Sequence, residues 1–154
     1  MGDLAIYDLA QKIISIPMMI LMNVNRALFP KIAGDFNIII VRKVLRYEHI
    51  IGTLVVMSII LLGKPIVTLL GGEGMELAYP IAIVLSFVVY GFLITTCHLD
   101  LIITPLKLDI YIFKNQIIAT ISLFLVVSIG LFFTKNIFIL PFALVISAFS
   151  EIFY

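Results

Sequence analysis

The most constraining feature of this sequence is a succession of apolar runs that are each long enough to cross a lipid bilayer. The clearest run extends from Leu77 to Cys97 and contains no charged residue. A hydrocarbon core about 30 Å thick needs about 20 mostly apolar residues in a helix, because each residue adds about 1.5 Å. Such runs recur along the chain, which predicts an all-α, polytopic integral membrane helix bundle.

Composition supports this fold class and divides the chain into five transmembrane helices. Hydrophobic residues make up 63% of the chain and charged residues 12%, whereas about 25% of the residues in a soluble domain are charged. Most of the surface is therefore expected to face lipid. Glycines between Gly71 and Gly74 mark a turn, Pro105 ends the third span, and Lys135 with Asn136 predicts a tight hairpin. The predicted spans are about 5–30, 50–70, 78–104, 115–134 and 137–154.

The segment from about residue 36 to residue 47 has a different pattern. Wound as a helix, it gathers apolar side chains on one side, namely Phe36, Ile40, Val44 and Tyr47. Another side gathers three basic residues, Arg42, Lys43 and Arg46. This pattern is typical of a short amphipathic helix in the headgroup plane, held to anionic lipid by its basic side chains. We favour this interpretation over a short strand, residues 36–41, in an ordinary loop.

The distribution of basic residues predicts the orientation of the bundle. Six lie between spans one and two or between spans three and four, namely Lys31, Arg42, Lys43, Arg46, Lys107 and Lys114. Only Lys64 and Lys135 lie towards the other side of the membrane. Basic loops stay in the cytoplasm, so the first and third loops and the C-terminus are expected there. The first span then begins outside, which predicts further membrane segments upstream.

The first span carries a polar stripe. At about 100° per residue, eight residues fall within roughly a 120° arc, namely Asp8, Gln11, Lys12, Ser15, Met19, Met22, Asn23 and Arg26. Asp8 and Lys12 are also spaced for an ion pair across one helical turn. Polar side chains are costly against acyl chains, so this arc is expected to face a neighbouring helix or a water-filled cavity.

Two interpretations of the stripe remain open. In the first, Lys12, Ser15, Asn23 and Arg26 line a translocation cavity and contact an anionic, hydroxyl-rich cargo. In the second, Lys12 and Arg26 extend to opposite interfaces and Asn23 forms a hydrogen bond across a helix contact. The two cations are only about 20 Å apart along the helix, which is less than the thickness of the bilayer core. We therefore favour the cavity.

Three acidic residues, Asp8, Asp100 and Glu151, are candidates for ion coupling or ion pairing. Asp100 with His98 could relay a proton, but anchoring at the interface or pairing with Lys107 is the favoured interpretation. Glu151 shares a face with Ser147 and Ser150, which indicates helix packing, although a carboxylate there would be costly towards lipid. Tyrosines of the third and fourth spans suit either an interfacial belt or sugar stacking.

No pattern in the sequence indicates an enzyme or a cofactor. It contains no metal-ligand spacing, phosphate loop or nucleophile triad, and Cys97 is interpreted as a small apolar filler. The net charge of +1 gives no field that would attract nucleic acid. We expect no metal, no cofactor, no catalysis and no nucleic-acid partner.

The first 33 residues carry a family resemblance. The run from Gly2 to Ala33 resembles the eighth helix of O-antigen and polysaccharide flippases in the multidrug/oligosaccharidyl-lipid/polysaccharide exporter superfamily. The matching entry residues are Gly2, Tyr7, Ala10 and Lys12, and the matching exit is Phe29-Pro30-Lys31. The segment from Leu69 to Phe87 is similar to the family's glycine-bearing outer loop before the tenth helix.

This resemblance implies helices eight to twelve of a twelve-helix transporter, that is, part of its second six-helix lobe, with helix eight ending inside. It implies export of oligosaccharide repeat units, linked to undecaprenyl diphosphate, across the bacterial inner membrane. The implied partners are membrane lipid, that lipid-linked substrate, and a missing N-terminal lobe or neighbouring subunit, because alternating access needs two lobes. The alternatives are a drug or cation antiporter of the same superfamily and a non-transporting membrane subunit with the stripe docked on a partner helix.

Overall fold

The computed structural model describes residues 2–34, 37–133 and 136–151, and this part of the chain is helical with no strand. The α-helices are α1 (Asp3–Gly34), α2 (Ile38–Gly71), α3 (Ala78–His98), α4 (Asp109–Phe133) and α5 (Ile139–Ser150), and a π-helical segment (Leu99–Ile103) continues α3. The all-α fold class predicted from the apolar runs is confirmed.

Four of these helices are long and apolar enough to cross a membrane, which makes the chain a multi-pass membrane protein. Their apolar stretches are Asp3–Pro30, Ile38–Gly71, Ala78–Ile103 and Asp109–Phe133. The fifth helix, α5, has 12 residues and extends about 18 Å, less than the bilayer core. The fifth predicted span was longer, and its last three residues lie outside the described part of the chain.

The predicted break between an interfacial helix and the second span is wrong for the described residues. Residues 38–71 form one helix of 34 residues, about 51 Å long. Asn37 caps its first turn, because the Oδ1 atom accepts a hydrogen bond from the Ile39 backbone N–H at 2.9 Å. One packing stripe then recurs at intervals of three, four or seven residues along the helix, through Val41, Glu48, Gly52, Val56, Ile59, Gly63 and Val67. Residue 36 lies outside the described residues.

The connections follow the predicted punctuation. Between α2 and α3, Gly72 and Gly74 have φ angles of 69° and 91°, which favour glycine because it has no Cβ atom. The π-helical segment ends two residues before Pro105. The fourth helix begins at Asp109, six residues earlier than expected. Lys135 of the predicted hairpin lies outside the described residues, but α4 and α5 pack together as a helical hairpin.

The centre of the bundle is α3, which packs against α1, α2 and α5. It contributes more buried residues than any other described helix, and these form an apolar core with Ile6, Ala10, Ile13 and Ile14 of α1. By contrast, α4 is largely exposed and packs mainly on α5. The side chains that α4 exposes are mostly large and apolar, including Phe113, Phe124 and Phe132, which suits a lipid-facing surface.

Two tyrosines of α3 pack on two glycines of α2. A Cβ atom on Gly52 would lie 2.7 Å from Cδ2 of Tyr90, and one on Gly63 would lie 3.0 Å from the Tyr79 ring. The Tyr79 hydroxyl donates a hydrogen bond to the Ile60 carbonyl at 2.7 Å, and the Tyr90 hydroxyl lies 2.9 Å from His49 Nδ1. These rings therefore act in helix packing, and neither the interfacial belt nor sugar stacking is needed to explain them.

We expect Gly52→Val to destabilise the bundle by about 1–3 kcal/mol, because inserting methyl groups into a packed contact forces side chains off their rotamers. The Tyr90 ring cannot swing away freely, since it stacks on Phe149 and lies within hydrogen-bond distance of His49. The measurement is denaturant unfolding in detergent micelles. Leu61→Val is the control, because Leu61 is 70% exposed on the same helix. Equal stability of the two variants would contradict this account of the α2–α3 contact.

Candidate functional site: an open polar face and buried polar groups

The polar stripe of α1 lies on the side of the helix that the rest of the described chain does not cover. The opposite side packs into the core through Ile6, Ala10, Ile13 and Ile14, and Asn25 continues that buried side. The exposed members of the stripe are Asp8, Gln11, Lys12, Met19, Asn23 and Arg26, while Ser15 and Met22 are half-buried. We refer to these eight residues as the polar face. If the polar face were a contact with α2 or α3, its side chains would be buried, and most of them are exposed.

The predicted ion pair on this face is confirmed. Lys12 Nζ lies 2.8 Å from Asp8 Oδ2, and the side chains are 72% and 57% exposed respectively. The Ser15 hydroxyl donates a hydrogen bond to the Lys12 carbonyl at 2.8 Å. In water such an exposed pair contributes at most about 1 kcal/mol, so it is not needed to hold the fold. Its net charge is zero, which leaves Arg26 as the uncompensated cation among the described residues of the face.

Arg26 lies at the end of the polar face nearest the loop to α2. Asp100, in the π-helical segment, is half-buried and within electrostatic range of the Arg26 guanidinium. The two side chains do not form a direct ion pair, since Asp8–Lys12 is the ion pair within the described residues. The sequence interpretation that paired Asp100 with Lys107 receives no support from the ion pairs of this part of the chain.

The structure reveals a buried polar cluster that the sequence interpretation missed. Glu48 of α2 is 5% exposed and Asn25 of α1 is 6% exposed. Both line a cavity of about 90 Å³ between α1, α2 and α3, and the fully buried Cys97 of α3 lies beside the Glu48 carboxyl. Within the described chain, the two carboxyl oxygens of Glu48 have no hydrogen-bond partner, and the Asn25 Nδ2 atom has none either.

A second cavity, of about 270 Å³, lies where the end of α3 meets α4 and the end of α5. Its apolar walls include Leu99 and Ile103, and its polar lining comes from Thr95, His98, Tyr111, Asn115 and Glu151. Asn115 and Thr95 are buried, and among the described residues Asn115 Oδ1 and Thr95 Oγ1 have no hydrogen-bond partner. The π-helical segment forms part of this wall, and such segments are frequent at functional sites.

One hydrogen bond orients the His98 ring in this cavity. Its Nδ1 atom lies 2.8 Å from the Ile94 carbonyl oxygen, and a carbonyl only accepts, so Nδ1 is the donor in this contact. The cavity thus combines donors and acceptors, from the hydroxyls of Thr95 and Tyr111, the Asn115 amide and the Glu151 carboxyl.

The remaining predicted residues fall into separate places. Ser147 and Ser150 pack α5 against α4, since the Ser147 hydroxyl donates to the Ala119 carbonyl at 2.9 Å and the Ser150 hydroxyl lies 3.0 Å from that of Ser122. The basic residues Arg42, Lys43 and Arg46 are all exposed on the first turns of α2. No group of three potential metal-ligating side chains occurs within the described residues.

Replacing Asn115 by leucine tests whether the Asn115 amide binds water or a ligand in the larger cavity. The buried Asn115 Oδ1 atom has no hydrogen-bond partner among the described residues, so replacing the amide by an apolar group of similar size should cost little, and we expect Asn115→Leu to change the unfolding free energy by less than about 1 kcal/mol. Gln116→Leu, on the exposed side of the same turn, is the matched control. A loss of more than about 2 kcal/mol would contradict this expectation and indicate that the amide binds water or a ligand.

Comparison with known proteins finds no matching family model, no matching curated protein and no matching solved structure. The functional interpretation therefore rests on the chain's own residues. Among these, the polar face of α1 and the buried Glu48 are the features that an ordinary lipid-embedded bundle would not need.

Proposed function

We propose that this chain is part of a membrane transporter that exports lipid-linked oligosaccharide across the bacterial cytoplasmic membrane. The cargo would be a repeat unit of O-antigen or capsule carried on undecaprenyl diphosphate, and the polar face of α1 would line its path. The observation that carries this proposal is the polar face itself, which lies on a helix of spanning length and is left uncovered by α2 and α3.

The chemistry of the face suits an anionic and hydroxyl-rich cargo. Arg26 offers a planar guanidinium that can form two parallel hydrogen bonds with a phosphate. Asn23 and Ser15 offer donors and acceptors for sugar hydroxyls. Lys12 is already paired with Asp8, so its ammonium is held in place without adding net charge. Charge for the diphosphate and neutral polar groups for the sugars would then lie along one side of one helix.

A complete path requires a second wall. Transporters of this kind move cargo at an interface between two lobes, and the uncovered face of α1 supplies one side of such an interface. The second lobe or a neighbouring subunit would supply the other. The exposed basic residues at the start of α2 would contact anionic headgroups, and that end and the C-terminus would then lie in the cytoplasm.

A cation or drug antiporter is the second candidate, and two acidic residues favour it. Glu48 is buried, and Glu151 lines the larger cavity. An antiporter of this type would depend on these carboxyl groups rather than on Arg26. A third reading, a non-transporting subunit, would leave the polar face sealed against a partner helix.

Thiol accessibility tests whether the polar face is wet. Single cysteines at Ser15, Met19 and Asn23, placed in a Cys97→Ala background of the full chain in cells, should react with a charged, membrane-impermeant thiol reagent. Leu61→Cys is the control, since Leu61 is exposed on α2 outside the polar face and should be shielded by lipid. Protection of all three test positions would contradict a cavity and favour the docked, non-transporting subunit.

Substitution of Arg26 tests the role of its guanidinium. We expect Arg26→Ala to lower export of lipid-linked oligosaccharide by about 10- to 100-fold, because hydrogen bonds to charged groups contribute about 1.5–3 kcal/mol each. Arg26→Lys should retain charge but lose the bidentate contact, and so give an intermediate rate. Arg42→Ala, which removes an exposed arginine away from the polar face, should lower export much less than Arg26→Ala. Normal export by Arg26→Ala would refute the proposed contact.

A further inference from the structure

Glu48 is the only charged side chain that is buried among the described residues. It lies on the packing stripe of α2 and faces α1 and α3. An ionised carboxylate that is removed from water costs a large free energy unless cations or hydrogen-bond donors surround it. A buried group of this kind in a native protein calls for a physical explanation.

The groups around Glu48 do not include a cation that pairs with it. From α1 the neighbours are the Asn25 amide and, next in sequence, the exposed Arg26, which acts on Asp100. From α3 the neighbour is the Cys97 thiol, and from the π-helical segment it is the Asp100 carboxyl. On α2 itself, His49 is exposed and lies within hydrogen-bond distance of Tyr90. Tyr47, next to Glu48 on α2, also lines the cavity, and the nearby cation Arg26 is exposed and acts on Asp100 rather than on Glu48.

The Asn25 amide is complementary to a protonated carboxyl. A carboxylic acid has one O–H donor and one carbonyl acceptor, and a primary amide has one carbonyl acceptor and N–H donors. The two groups can therefore form two hydrogen bonds with each other. An ionised carboxylate could accept from the amide but would leave the amide oxygen facing another acceptor. The unpaired Asn25 Nδ2 atom and the unpaired Glu48 oxygens belong to neighbouring side chains that line the same cavity.

We propose that Glu48 is a proton-binding site whose bound proton completes a carboxylic acid–amide pair with Asn25 and so holds α1 against α2. Binding adds one proton from water to a Glu48 oxygen, and release returns it to water, with no other bond made or broken. The carboxyl lines a cavity of about 90 Å³ between α1, α2 and α3, which is large enough to admit water beside it.

The position of Asn25 links this site to the polar face. Asn25 and Arg26 are adjacent on α1, about 100° apart around the helix, so one points into the bundle and the other to the uncovered side. The pairing of Asn25 therefore bears on the same turn of α1 that carries Arg26. The proton site stands on the burial of Glu48 and Asn25 and does not depend on the identity of the cargo.

Infrared difference spectroscopy of the purified full chain in lipid vesicles tests the proton directly. At neutral pH we expect a carboxylic C=O band that shifts in D₂O, disappears in Glu48→Gln and remains in Glu73→Gln, whose side chain is exposed in the α2–α3 turn. Glutamine can still form two hydrogen bonds with Asn25, so Glu48→Gln should fold. The thermal stability of the unaltered chain should fall as the pH rises and Glu48 loses its proton. Glu48→Gln should not show that fall.

Asn25→Ala provides a second test that does not require Glu48→Gln to fold. Loss of the amide partner should move the same C=O band to higher frequency, because the carbonyl is then less strongly hydrogen-bonded. Three results would overturn the proposal. These are a band that survives in Glu48→Gln, a band unmoved by Asn25→Ala, and an ionised carboxylate band for Glu48 that responds to sodium or potassium, which would identify a metal-cation site. None of these measurements uses a transport assay. A negative result for the proton site can therefore be distinguished from a negative result for the export proposal.

Discussion

The packing of α3 against its neighbours is the interaction on which the rest of this structure depends. In a bilayer the hydrophobic effect does not drive helices together, so close packing between complementary helix surfaces has to hold them. Here Gly52 and Gly63 of α2 accept the rings of Tyr90 and Tyr79, and Gly91 approaches Ala148 of α5. The helix α1 packs on another side of α3. Contacts with this one central helix therefore hold α1, α2 and α5 in place.

This arrangement separates an apolar end from a polar end. Near the α2–α3 turn the buried side chains are apolar, as with Val67, Ala78 and Ile81. Four of the buried polar side chains, Asn25, Glu48, Thr95 and Asn115, lie towards the end where α1 joins α2 and α3 joins α4, whereas Ser86 lies nearer the α2–α3 turn and donates its hydroxyl to the Ile83 carbonyl. The exposed basic residues Arg42, Lys43 and Arg46 lie at that same end. Proton-binding and hydrogen-bonding chemistry is therefore concentrated on the side that the charge distribution predicts to be cytoplasmic.

The sequence predicts the helices well because span length and charge depend on local composition, which the apolar runs report directly. It fails at α2, where the basic residues near Arg42 mask a packing stripe that continues through Val41, Glu48 and Gly52. Hydropathy cannot reveal which side of a helix a neighbour covers. Glu48 thus resembles a solvated charge in a basic segment, although its spacing of four residues from Gly52 was the available signal. The ion pair of Asp8 with Lys12 was predictable because helical spacing alone determines it.

The buried Asn25 and the exposed Arg26 of α1 together limit the surroundings that this helix can have. Its inner side carries Asn25 against Glu48, and Arg26 lies about 100° away on the uncovered side, so this helix has polar groups on two different sides near one end. If both sides met acyl chains or apolar residues, the desolvation cost would exceed what the limited contact between α1 and α2 offsets. Proton uptake by Glu48 removes the inner cost, because a neutral acid and an amide satisfy each other. The outer cost can only be removed from outside the described chain, by water, an anionic group or a second protein surface. A helix that is neutralised on its inner side by a proton and on its outer side by a cargo or partner has the properties required to couple the two binding events.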